Sequence, residues 1–140
     1  MTHTSLRLPD LEKDGWGLED GEQRNREAPQ TFLIPNLALR KILRPGDFAK
    51  LIFEIAVEGE EHGLVERLVE RMWVIIRERT PSGYIGMLDN EPDCIPENDR
   101  LWLGTELAFE YRHIIAVRHG EEASLALAWA PVPIPWNPAN

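Results

Sequence analysis

The stretch from Arg71 to Pro92 constrains the fold most. Arg71-Met72-Trp73-Val74-Ile75-Ile76 is almost wholly apolar and rich in β-branched and aromatic residues, which predicts a strand over Met72 to Arg79. Thr80-Pro81-Ser82-Gly83 carries turn chemistry, and Tyr84-Ile85-Gly86-Met87-Leu88 returns as a second strand. Two strands and a tight turn make an antiparallel hairpin, and an isolated hairpin is marginal in water. Further strands must therefore come from elsewhere in the chain.

Phe48 to Val57 supplies the clearest one. Ala49, Leu51, Phe53, Ile55 and Val57 alternate with Phe48, Lys50, Ile52, Glu54 and Ala56. The first set is wholly apolar and is expected to face the core. Leu101-Trp102-Leu103-Gly104 turns into another predicted strand over Thr105 to Tyr111, and Ile114-Ile115-Ala116-Val117 continues the pairing after a bend. Glu58 to Arg71 admits two readings. Leu64, Val65, Leu68, Val69 and Met72 recur at helical spacing, yet the same residues suit a long hairpin arm. A loop with a helical turn is the expectation adopted.

Helix signals lie ahead of these strands. Asp20 is a candidate cap for a short polar helix within Glu19 to Ala28, which Pro29 ends. Thr31-Phe32-Leu33-Ile34-Pro35 reads as an extended segment or an edge strand, and Asn36 as the N-cap of a helix over Leu37 to Leu43. The sum is an α+β chain, mainly β: a small bent antiparallel sheet or open SH3-like barrel with one or two short N-terminal helices. Residues 1–18 are expected to form a flexible arm, 19–120 a single β-rich domain, and 121–140 an extended Pro-rich segment. Trp16 is either an anchor for the arm or an exposed side chain. Residues 121–130 suit a final strand or a helical turn, and Trp136 is a docking point for the tail.

Charge and composition narrow the function classes. A chain of 140 residues with 43% hydrophobic content builds a core of its own. The net charge of −9 and the scattered basic residues disfavour nucleic acid, and favour a basic protein partner. No run approaches the roughly 18 apolar residues of a membrane span. A single cysteine, Cys94, and no apolar leader lead to the expectation of a cytoplasmic protein of open oligomeric state.

At Leu43-Arg44-Pro45-Gly46-Asp47, Glu70-Arg71-Met72-Trp73-Val74 and Tyr84-Ile85-Gly86-Met87-Leu88-Asp89-Asn90-Glu91-Pro92, the chain resembles the uncharacterised bacterial domain-of-unknown-function family 2314. The resemblance covers roughly residues 30–117 and includes the later turn Leu103-Gly104-Thr105. The chain departs from the family pattern at 104–105, where Gly-Asp is usual, and in a long 58–70 insert. The resemblance implies a small barrel of a kind found among bacterial toxin-immunity proteins. It supplies no catalytic residues.

Candidate sites are correspondingly few. Asp89, Asn90, Glu91 and Asp93 form an acidic tip after the hairpin: a solvated loop whose Asp89 and Asn90 bond nearby backbone amides, or else a recognition loop or oxygen ligands for a hard cation. The glycine and distal glutamate of a calcium loop are missing. Trp73, Tyr84, Trp102, Phe109 and Tyr111 either line a peptide groove or pack as core and rim. Of these, Tyr84 and Trp102 are the binding candidates, and Trp73 is expected in the core. His3, His62, His113 and His119 show no metal-ligand spacing, and Cys94 sits among acids that oppose a thiolate. No catalytic residue, metal ligand or cofactor is therefore assigned. The reading is a non-enzymatic interaction module with an acidic surface, in the manner of an immunity protein. The alternative is an enzyme or metal-binding protein that uses the acidic loop 89–99.

Overall fold

The computed structural model describes residues 6–58, 65–90 and 101–136. Its hub is the strand β2, Phe48–Glu58, which follows the short elements α1 (Leu11–Asp14), β1 (Trp16–Leu18), α2 (Gly21–Glu27) and α3 (Leu37–Lys41). β3 (Val65–Arg79), β4 (Gly83–Leu88) and β5 (Glu106–Glu110) continue as an antiparallel meander. A 3-10 turn at Tyr111–His113 then swings the chain into β6 (Ile114–Arg118), and α4 (Glu122–Trp129) follows.

The free edge of β2 is shared. β6 pairs with its first half, from Phe48↔Arg118 to Leu51↔Ile114, and β1 with its second half, from Leu18↔Phe53 to Trp16↔Ile55. A sheet whose last strand returns to the hub strand β2 must curl, so the molecule is mainly β, a curled open antiparallel half-barrel with four short helices among the described residues. Period-2 alternation then sorts the side chains. Ala49, Leu51, Phe53, Ile55 and Val57 are all buried inside the curl, with Met72, Val74, Ile76, Tyr84, Leu88, Leu107 and Phe109 from the facing strands. The outer face keeps a smaller cluster, in which Phe48, Ile75 and Met87 lie against Ala128 of α4.

Both helix caps read from the sequence are formed. The Asp20 carboxylate accepts from the Gln23 amide and the Asn36 amide oxygen from the Leu39 amide, each at 3.0 Å. Other expectations are settled or corrected. Residues 65–70 are the arm of the β2–β3 hairpin: Arg67, Leu68 and Glu70 sit opposite Ala56, Ile55 and Phe53. An eleven-residue β2 needs a partner for its backbone along its whole length, and this outweighs helical spacing. Residues 122–129 take the helical of the two readings, because Glu121 and Ser124 form a reciprocal capping box ahead of an Ala- and Leu-rich run. Thr31 to Pro35 forms turns and irregular chain, not a strand. Trp73 is only half-buried, on the outer face.

The first and last described segments meet on the body. Trp16 is buried, 6.0 Å from the Phe53 ring and 5.2 Å edge-on from Trp136. The Trp136 indole donates to the Arg7 carbonyl at 2.9 Å, and Ile134 bridges Thr105 along the outer edge of β5. From residue 6 to Leu18, the segment expected as a loose arm therefore contributes a helix, a strand and a core tryptophan.

One core feature carries a pH prediction. His113 ends the 3-10 turn, is 3% exposed, and accepts the Glu110 amide on Nδ1 at 2.9 Å. Burial, and then the nearby Arg112, push its pKa down to about 4, against the pull of Glu110, Asp20 and Glu22. The unfolded chain takes up this proton near pH 6.5, while the folded one resists until about pH 4. Stability is therefore full above the unfolded value and falls as pH drops through that window, by up to about 1.4 kcal/mol per pH unit. Asn at this position keeps an acceptor but cannot titrate. Urea unfolding at pH 7 and pH 5 is expected to show a loss about 2 kcal/mol smaller for His113→Asn than for the wild type. Equal losses in the two proteins would remove His113 from the acid response.

Candidate functional site

The residues named from the sequence do not come together as one surface. Tyr84 is fully buried inside the curl. Its hydroxyl donates to the Arg40 carbonyl at 2.6 Å and accepts the Leu43 amide at 3.1 Å, which fixes the end of α3 to the sheet. Tyr84 is thus unavailable to a partner. Asp89 and Asn90 prolong the β3–β4 ladder: the Asp89 amide donates to the Trp73 carbonyl, and the Asn90 side chain accepts the Trp73 amide at 2.6 Å. Asn90 therefore serves as a ladder group in side-chain form. Burial raises the Asp89 carboxyl above its ordinary range, and Arg118 opposes the rise. Trp102 is half-buried, in a turn closed by its amide on Thr105 Oγ1 at 3.0 Å. That turn bonds the end of β4 through Leu88, so Trp102 and Asp89 border the same strand end. Glu91, Asp93 and Cys94, with the rest of 91–100, lie outside the described residues. Among the described residues, no group of three His, Cys, Asp or Glu side chains is placed to hold a metal ion.

Beside Asp89 the outer face is aromatic and cationic. Lys50 Nζ lies 5.4 Å from the Trp73 ring. The Arg118 guanidinium lies 4.3 Å from Phe48 and 5.1 Å from Trp73. Both cations are thus stacked on rings of their own domain.

Further along the same face is a groove of about 340 Å³, lined by Glu19, Asp20, Gln23, Arg24, Glu27, Glu54 and Arg67. Local structure explains each position. Asp20 caps α2, which projects Gln23, Arg24 and Glu27 along one side. Glu54 belongs to the outward set of β2, and Arg67 sits opposite Ala56 of that set on β3. Arg24 Nε meets Glu19 Oε1 at 2.9 Å, Arg67 Nη1 meets Glu54 Oε1 at 2.6 Å, and Gln23 bonds Glu27 at 3.0 Å. Burial pushes the Asp20 carboxyl up, but the Gln23 amide, Arg112 and the Glu22 amide outweigh it and hold the pKa below its ordinary value. Asp20 therefore stays ionised.

The lining has four carboxylates and two guanidinium groups, an excess of two negative charges. Its deepest acid is incompletely satisfied. Glu19 Oε2 is buried and has no hydrogen-bond partner among the described residues, while Oε1 is held by Arg24. An unpaired buried carboxylate oxygen is costly, and an incoming N–H donor relieves the cost. Arg67, 57% exposed, pairs with Glu54, 17% exposed. Sequence reading placed Glu54 on the outward face and Asp20 at a cap, but it missed their meeting with Glu19 and Arg67. No protein-family model matches this chain, and neither does any curated protein or any solved structure.

Proposed function

We propose that the protein is a non-enzymatic interaction module that binds a basic protein partner on the outer face of its half-barrel. The observation that carries this reading is the buried, unpartnered Glu19 Oε2 in a groove with excess negative charge. A lysine or arginine of the partner enters the groove, donates to the carboxylates that line it and displaces Arg67 from Glu54. Charge-assisted bonds of this kind are short and about twice as strong as neutral ones. The net charge of −9 steers a basic partner towards the surface and turns nucleic acid away. The likeness to family 2314 favours an immunity role, with a basic toxin as the partner. No described helix is long and apolar enough to cross a membrane, and a lone cysteine suits action in the cytoplasm.

N-acetyl-arginine methylamide is a minimal probe. Titrated into the protein and followed by amide NMR, it is expected to give saturable shifts confined to residues 19–27 and the neighbours of Glu54 and Arg67. The expected affinity is on the order of 1 mM, as suits one charge-assisted anchor. Glu19→Gln is expected to weaken it about tenfold, and added salt to weaken it further. Shifts that never saturate, or that spread evenly over the acidic surface, would reject the groove as the site.

A further inference from the structure

α4 is built inside out. Its small residues Ser124 and Ala128, 3% and 5% exposed, form the i, i+4 seam on the body. Leu125, Leu127 and Trp129 are 44%, 46% and 77% exposed, and Ala123 and Ala126 are exposed between them. At 100° per residue, roughly, Leu125 and Leu127 flank the seam and Ala126 points straight away from it. The close seat depends on Gly46, at φ 93°, because a Cβ there would lie 2.8 Å from Leu125 Cα. A short helix that is apolar on every side is normally covered. Here the uncovered side amounts to roughly 400 Å² of apolar surface, the size at which patches mark contact sites.

We propose that this face of α4 docks into an apolar groove with a basic rim on the protein partner. The inference rests on the basic-partner reading above and adds a second anchor on the same outer face. Charge complementarity selects the occupant. Glu121 and Glu122 head the helix, and Asp47 lies beside it, holding the Gly120 amide at 2.8 Å. α4 contains no lysine or arginine, and the adjacent Arg118 is stacked on Phe48 and Trp73. A second copy fits poorly. Two-fold pairing would bring two chains of charge −9 together, and would bury only about 800 Å² in total, below the roughly 1,200 Å² of a stable complex. A membrane surface fits poorly as well, because interfacial helices carry basic residues on their polar side. In a larger contact, Trp129 is the expected hot spot, and the acids at the head of the helix form part of the rim.

The test places the photo-cross-linker p-benzoylphenylalanine at Ala126 of the full chain, irradiates the producing cells and identifies the adduct by mass spectrometry. The expected adduct is a protein peptide with an apolar centre flanked by lysine or arginine. Its yield is expected to fall at least tenfold in Trp129→Ala, with an unchanged melting temperature because the side chain is exposed. An adduct with the chain itself, with lipid or with an acid-flanked peptide would overturn the proposal, and so would no adduct or one indifferent to Trp129→Ala. The arginine methylamide titration separates the two readings: if the groove saturates while Ala126 finds no partner, the groove stands and the α4 contact falls.

Discussion

Replacing Gly83 by alanine is expected to remove about 4 kcal/mol or more of the protein's stability. Gly83 opens β4 opposite Glu110 of β5. A Cβ on it would lie 2.0 Å from the Phe109 carbonyl oxygen and 2.6 Å from Glu110 Cα. Both atoms are backbone in a paired strand, so no side-chain rotation relieves the clash. The strand must move instead, and β5 leads directly into the 3-10 turn, His113 and β6. A forced change of that kind belongs to the rare class that costs about 4 kcal/mol or more, out of a typical total of roughly 5–15 kcal/mol. Ser82→Ala, one residue earlier and exposed, is expected to change stability by less than about 0.5 kcal/mol. Urea titrations followed by circular dichroism compare the two. A Gly83→Ala protein within about 1 kcal/mol of the wild type would show that the β4–β5 pairing is looser than described.

Tyr84→Phe is the second large effect, and it follows from a single oxygen atom. The ring stays, packed 5.8 Å from Phe109 and 5.5 Å from Tyr111. The hydroxyl goes, and leaves the Leu43 amide and the Arg40 carbonyl buried without their partner. Each such group costs about 1–3 kcal/mol, so a loss of about 4 kcal/mol is expected. Arg40 is itself buried, with its guanidinium spanning Glu22, the Pro35 carbonyl and the Tyr111 carbonyl. Release of its backbone therefore loosens α2 and α3 together. A shift of the urea midpoint with an unchanged slope is the expected signature. A loss below about 1 kcal/mol would mean that water replaces the hydroxyl, and that α3 is not held through Tyr84.

The fold was legible where the pattern was local. Alternation along Phe48 to Val57 marked both faces of β2, and Asp20 and Asn36 announced their helices by side-chain chemistry within three residues. Legibility failed where a distant partner decided the outcome. Val65, Leu68, Val69 and Met72 fit both a helix and a strand, and only the opposite length of β2 chose between them. Trp16 became core because Phe53 and Trp136 converge on it from far along the chain. Tyr84 looked like a rim aromatic because its partners at Arg40 and Leu43 lie over forty residues away. Asn90 fits both a recognition tip and a loop residue that bonds backbone amides, and the chain spends it on the Trp73 amide. The groove has no local signature at all: Glu19, Glu54 and Arg67 meet only after the sheet has formed. α4 shows the reverse failure. Its composition predicts burial, and its small residues take the buried side while Trp129 faces out.

The central claim is that the outer face, centred on the groove at Glu19 and Glu54, receives a basic protein. Zero-length carbodiimide coupling in cells that produce the chain joins carboxylates directly to lysine amines in contact with them. Links to other proteins are expected to concentrate at Glu19, Asp20, Glu27 and Glu54, to lead to lysines of one partner, and to be lost in Glu19→Gln together with Glu54→Gln. Links spread evenly over the chain's 24 acids, or unchanged in that double variant, would contradict the claim.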